Sequence, residues 1–188
     1  MFERLARNWV YGGFLAAFVI LALFPLTTNG WSIWLAMTFL ALPVYMIHQY
    51  EEHDDDRFRR FVNTHIGGNQ EILTLGDVFW INIVGVWAVI IASVWLAWEA
   101  HAGYGLIAAY LLLINAAVHI AQAVKMRQYN PGLATAVILF LPLGSFLLWL
   151  LAGKAGLIHH VIGAGFVFAL HAAIVLRAVS RKAALARQ

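Results

Sequence analysis

Two imidazoles and two carboxylates stand within the six residues His48-Gln49-Tyr50-Glu51-Glu52-His53. Imidazole nitrogens and carboxylate oxygens are ligands for zinc, iron or manganese, and both groups exchange protons. At membrane depth such groups are costly unless they are paired, protonated or bound to a metal, so a cluster of them marks a functional site. If the stretch is helical, His48, Glu51 and Glu52 are offset by three and four residues and share one face. Tyr45 lies three residues before His48 and Asp55 seven after it, which extends that face. His53 lies about 140° round the helix from His48, which ranks it below the other three as a ligand. The chain has no cysteine. Thiol nucleophiles, disulfides and Cys-ligated clusters are therefore excluded, and any metal must be held by nitrogen and oxygen.

The elements that must position these groups follow from hydropathy. Of the 188 residues, 63% are hydrophobic and 11% charged, whereas about 25% are charged in a soluble domain; mean hydropathy is +0.79. The predicted fold is all-α, a polytopic bundle forming a single transmembrane domain. Its six transmembrane helices are expected near residues 9–28, 31–50, 77–98, 104–124, 132–151 and 157–177. Each holds about 20 residues, which at roughly 1.5 Å per residue crosses a hydrocarbon core of about 30 Å. The stretch Asp54 to Val62 either extends the second helix or lies along the interface. Thr74 or Asp77 caps the third span, and a basic tail follows the sixth.

Loop charges orient the bundle. With the N-terminus cytoplasmic, the inner segments hold Arg4 and Arg7; Arg57, Arg59 and Arg60; Lys125 and Arg127; and Arg177, Arg181, Lys182 and Arg187. Only Lys154 of the 12 basic residues falls outside. This asymmetry predicts an N-in, C-in topology. It also accounts for a pI near 9.5 without a nucleic-acid partner.

In that topology His119 sits about five residues inside the inner end of the fourth span, and His171 about six inside that of the sixth. Both are then roughly 8 to 9 Å below the cytoplasmic boundary, in the same layer as the motif. Asn115, His119 and Gln122 form one polar stripe, with offsets of four and seven. His101, His159 and His160 fall near the outer face, where a structural, interfacial role is expected. A lone membrane histidine usually bonds a neighbouring helix, and the acids of residues 51–56 could pair with Arg57, Arg59 and Arg60 at a solvated helix end. Convergence of His48, Glu51, Glu52, His119 and His171 on one depth instead predicts a divalent metal site. Additional candidates are His53, Gln122, Asp55, Asn115 and Tyr45.

His48-Gln49-Tyr50-Glu51-Glu52 resembles the defining pattern of the membrane-protein family named for its HXXEE motif. Val118-His119-Ile120-Ala121-Gln122-Ala123 and the turn Arg127-Gln128-Tyr129-Asn130-Pro131-Gly132 look like that family's second region. The resemblance covers most of the chain and implies a shared site without naming a reaction, since the family is one of unknown function. An H-E-x-x-H motif is absent, and an inverted H-x-x-E-H would need histidine where Glu52 stands. The histidine boxes of membrane di-iron hydroxylases are also missing.

The expected function is a membrane-embedded metalloenzyme acting on a lipid or other lipophilic molecule near the cytoplasmic face. With zinc, Glu51 or Glu52 serves as general base and the reaction is hydrolysis. With two irons, the adjacent glutamates supply terminal and bridging oxygens for an oxidoreductase. A third alternative is a small transporter or a proton or metal ion pathway, although no internal repeat marks two inverted halves; a scaffold role is the fourth. The small size and lack of a targeting signal fit a bacterial inner membrane.

Overall fold

A computed structural model describes residues 1–187. Its helices are α1 (Phe2–Thr27), α2 (Ile33–His53), α3 (Arg57–Phe61), α4 (Leu75–Asn82), α5 (Val89–Glu99), α6 (Leu106–Met126), α7 (Leu133–Thr135), α8 (Leu141–Leu151) and α9 (Leu157–Leu185). No strand occurs among the described residues. Six helical stretches are long and apolar enough to cross a membrane: Phe2–Thr27, Ile33–Ile66, Leu75–Glu99, Ala102–Met126, Leu133–Leu151 and Leu157–Leu185.

Apolar burial gives little drive between helices already bathed in lipid, so close packing and hydrogen bonds must hold such a bundle together. The sequence meets this with small residues at helix contacts: Ala17, Ala41, Ala108, Ala109, Ala116 and Ala136 are fully buried. They let α2 sit at the centre, with α1 along one side, α5 along another and α6 and α8 on the third. Near its C-terminal end α2 is therefore buried on two adjoining faces about 100° apart, with Tyr45, His48 and Glu52 on one and Met46, Gln49 and His53 on the other.

Widened turns occur at Val62–Ile66, after α3, and inside two further spans. Ile83–Ala88 joins α4 to α5 and Ala136–Phe140 joins α7 to α8, each with hydrogen bonds reaching one residue further than in an α-helix. Pro142 supplies a reason for the second. It lacks an N–H and its ring crowds the carbonyl four residues back, at Ile138, inside the widened turn. Such turns recur at functional sites, and these two deliver Trp87 and Thr135–Phe140 to the region described below.

The helix does not continue past His53. Asp54 turns the backbone to ψ 131°, and Asp55 and Asp56 adopt left-handed φ values of 51° and 59°. Asp55 therefore leaves the face of His48 on which helical continuation would have placed it; it is exposed and paired with Arg60 at 2.7 Å. Residues 57–74 then fold across the end of the bundle as a cap. Asn63 fastens the cap by bonding both the N–H and the C=O of Leu73, each at 2.9 Å. Val62, Ile72 and Leu73 bury against Trp9, Val10 and Val78. Thr74 caps α4 in a reciprocal capping box with Asp77, which satisfies two of the orphan donors at that helix end.

The sixth span is longer than expected. The segment read as a basic tail stays helical to Leu185 and is bonded to the cap. Arg181 donates to the carbonyl of Glu71 and Lys182 to that of Ile66, both at 2.7 Å, and Arg177 pairs with Asp77 at 3.4 Å.

The absence of cysteine makes the topology directly testable. Lys154→Cys is expected to react with a membrane-impermeant maleimide in intact cells, and Arg127→Cys only after permeabilisation. Equal labelling of both before permeabilisation would overturn the N-in, C-in orientation.

Candidate metal centre

At the motif end of α2, His48 and Glu52 are one turn apart and meet His119 from α6; all three are buried. One ligand atom from each lies within 4.8 Å of the others. The Glu52 carboxylate stands 3.5 Å from His48 Nε2 and 3.5 Å from His119 Nε2. Ligand atoms held at about 2.1 Å by one tetrahedral ion stand about 3.4 Å apart, so the separations suit a common ion.

Hydrogen bonds to the far side of each ring set its tautomer. Asn130 donates through Nδ2 to the carbonyl of His119 at 2.9 Å, which turns its Oδ1 to His119 Nδ1 at 2.6 Å. That oxygen can only accept, so His119 carries its proton on Nδ1 and presents a bare Nε2. The Thr135 hydroxyl donates its single proton to Glu51 and so accepts from His48 Nδ1 at 2.8 Å. His48 Nε2 is then also a lone pair, and this buried atom has no hydrogen-bond partner among the described residues. Metal-ligating histidines are commonly oriented through their other nitrogen in this way.

His53 belongs to the same group, contrary to its rank in the sequence. Its Nε2 lies 3.1 Å from Glu52. The angle of about 140° from His48 is right for the helix, but Glu52 projects between the two rings, and α2 is packed on both faces, so neither imidazole reaches water. A directed chain fixes His53 as well. The Trp87 indole only donates, and does so to Gln49 Oε1 at 2.6 Å; Gln49 Nε2 donates to Asn82 Oδ1 at 2.8 Å; Asn82 Nδ2 approaches His53 Nε2 at 3.2 Å. With the Asn82 amide so turned, His53 Nε2 accepts. The His48 and His119 lone pairs thus face one carboxylate in a buried site, with the His53 ring beside it, an arrangement that attracts a cation.

The remaining predicted residues go elsewhere. Glu51, expected as a ligand or base, turns to the start of the fifth span. It accepts from Ala134 N at 3.1 Å and Thr135 N at 2.7 Å, and from the hydroxyls of Thr135 and Tyr129. Both carboxylate oxygens of Glu51 are spent on these donors, so it does not join Glu52 at the centre. Glu51 instead caps α7 and braces it to α2. Burial and the Glu51 carboxylate push the Tyr129 phenol up to about 12, so it remains a donor throughout the physiological range.

His171 lines the same cavity as His119 but does not share its contacts. Its Nδ1 donates to the carbonyl of Val167, one turn back on its own helix, at 2.9 Å, and the cavity separates α9 from α2. Tyr45 packs on His48 and Phe140, with ring centroids 5.6 and 4.6 Å away. Asn115 and Gln122 line the cavity without joining the cluster.

That cavity, about 450 Å³, lies between α4, α6, α9 and the cap. Glu52, His53 and His119 form part of its wall, and most of the rest is apolar, including Val62, Ile66, Ile72, Leu111 and Ile174. At the opposite end of the bundle, His101 and His159 stack at 4.1 Å and His160 bonds Tyr110 at 2.8 Å, well apart from the centre.

Sequence reading missed Asn130, Gly132, Thr135, Gln49, Asn82 and Trp87 as supports of the site. The Asn130-Pro131-Gly132 turn was the available signal. At Gly132 (φ +95°) an added Cβ would lie 2.7 Å from His119 Cε1 and 2.9 Å from His48 Cε1. The backbone therefore lies directly against both rings, which only glycine permits.

Six apolar helices enclosing a buried His/Glu group beside a cavity define a helical membrane protein with a candidate metal centre. The chain belongs to the family described as "protein of unknown function with HXXEE motif", which it matches over residues 39–150. No curated protein and no solved structure matches the chain.

Two substitutions separate the centre from its support. Gly132→Ala is expected to weaken zinc affinity about 10–100-fold, read by competition with a chromophoric chelator, while circular dichroism stays helical; unchanged affinity would contradict the packing of Gly132 on both rings. Glu51→Gln is expected to lower stability by about 1.5–3 kcal/mol through loss of charge-assisted bonds, as measured by thermal unfolding in detergent, without loss of zinc uptake. Loss of zinc uptake with unchanged stability would make Glu51 a ligand after all.

Proposed function

We propose that this protein is a membrane-embedded, metal-dependent enzyme in which His48, Glu52 and His119 hold one divalent ion, and that it hydrolyses a lipophilic substrate drawn into the adjoining cavity. The observation that carries this reading is the unpartnered, buried His48 Nε2 facing Glu52 and His119. Leaving a buried nitrogen without a partner costs about 1–3 kcal/mol, and a metal ligand is the role that uses it.

Two histidines and one carboxylate leave coordination positions free and suit zinc, or iron in the related facial arrangement. A bound divalent ion supplies Lewis acidity, polarising a substrate oxygen and acidifying water. The residues of the chain do the rest. Asn130 and Thr135 keep both ligand rings in the Nδ1–H tautomer. His53 stands beside Glu52 in the cavity wall, whereas Glu51, on α2, is committed to the start of α7. Phe140, with its ring centroid 4.2 Å from that of His48, keeps water from the back of the centre. Because Glu51 is turned away, the ligand count favours one metal over two. Zinc hydrolysis is therefore preferred to di-iron chemistry.

Elemental analysis of detergent-purified protein tests this reading. Stoichiometric zinc or iron is expected in the wild type and in His171→Ala, and loss of at least most of it in His48→Ala, Glu52→Ala and His119→Ala. Metal absent from the wild type after metal-supplemented growth, or retained in all three variants, would refute it.

A further inference from the structure

We propose that the cavity receives a single-chain lipid with an anionic head group, which the Lys182 ammonium holds at the cap end while the chain runs past Glu52 and His119 towards Leu111. This names the substrate class of the proposed enzyme and rests on the cavity being its substrate site.

The charge of Lys182 has no carboxylate to match it among the described residues. Arg177 and Arg181, on the same end of α9, are paired with Asp77 and Glu71, whereas Lys182 meets the carbonyl of Ile66, at 2.7 Å. That bond uses one of its three N–H groups. Among the described residues Lys182 is also the one lysine or arginine in the cavity wall, and Gln122 adds a neutral amide from α6. The carboxylate of the wall, Glu52, lies instead among the rings of His48, His53 and His119. An anion entering the metal-free cavity is therefore drawn to the cap end and repelled by Glu52.

The register of α6 and α9 sets the distances. The two helices start together, since a Cβ added at Gly163 would lie 3.3 Å from the backbone carbonyl of Leu106. His119 is thirteen residues beyond Leu106 and Lys182 nineteen beyond Gly163, which puts Lys182 about 9 Å nearer the cap. Leu111, eight residues before His119, lies about 12 Å from it in the other direction. The cavity thus holds a cation at one end, the His/Glu group further in and an apolar end beyond. A single-chain lipid has the same order: a charged head, an ester or amide a few bonds away, then hydrocarbon. The volume of about 450 Å³ falls within the roughly 300–1,000 Å³ of small-ligand sites and favours one chain over two. Val118, Val175 and Val179 line the cavity and are exposed, so it opens beside α9, where a lipid can enter from the bilayer.

The test titrates the full-length protein calorimetrically in zwitterionic nanodiscs, with zinc removed by a chelator and with empty discs as the blank. The probes are myristyl phosphate and myristyl alcohol, which share a chain and differ in charge. Lys182→Gln, which keeps a donor for the Ile66 carbonyl, is expected to weaken phosphate binding roughly 5–10-fold and leave alcohol binding unchanged. Lys182→Arg and Lys125→Gln, the latter an exposed cation outside the cavity wall, should both bind the phosphate as the wild type does. In the wild type, added salt should weaken the phosphate more than the alcohol, a reading that needs no variant. No phosphate binding above the blank, equal losses for both probes in Lys182→Gln, an equal loss in Lys125→Gln, or a salt response shared by both probes would overturn the proposal. So would displacement of myristyl phosphate by an equal concentration of inorganic phosphate. Zinc uptake without dependence on Lys182 refutes this inference and leaves the metal centre standing; dependence on Lys182 in protein that takes up no zinc upholds it and refutes the metal centre.

Discussion

The burial of the Glu52 carboxylate among the nitrogens of His48, His53 and His119 is the constraint on which the rest of the structure depends. In a bundle whose surroundings are largely lipid, neither the carboxylate nor the rings can be stabilised by bulk water, so each must be held by protein or by a bound cation. The protein groups around them have fixed directions. An indole that only donates sets Gln49, Asn82 and then His53; a carboxamide anchored to a backbone carbonyl sets His119; a hydroxyl committed to Glu51 sets His48. The last two leave a lone pair facing the same small volume, and the first holds the His53 ring against Glu52.

This explains why so much of the fold converges on the turn between α6 and the fifth span. Asn130, Gly132 and Thr135 lie within six residues of one another, and each touches a ring of the centre or fixes its proton. Glu51 ties that turn to α2 by capping α7, and the widened turn before Pro142 brings Phe140 onto His48. The motif thus divides its labour between neighbours. Glu52 faces the site and Glu51 secures the backbone that carries the supports.

The cavity adds a second division, between α9 and the remaining helices. Near its start α9 packs closely on α6, with Gly163 against Leu106 and Tyr110. Towards its other end the cavity intervenes, and α9 is tied to the cap by Arg177, Arg181 and Lys182. A helix held at its two ends can enclose an apolar space without filling it. The space gives lipophilic molecules room beside the centre.

The spans, the polar layer and the membership of His48, Glu52 and His119 in one group were legible in the sequence, because hydropathy and the helical repeat act over short stretches and report directly on lipid exposure and facing. Helical offsets also indicated correctly that His53 points away from His48. Whether that excluded it depended on how α2 is packed, and only the tertiary structure shows neighbours on both faces with Glu52 reaching between the rings. Predicted depth likewise proved different from proximity: His171 and His119 line the same cavity, and that cavity holds α9 away from α2. By itself the sequence determined which groups are too polar to face lipid and roughly how deep they lie. The tertiary structure alone decided which of them touch, which proton each ring carries and which glutamate faces the centre, since those depend on side chains brought together from distant parts of the chain.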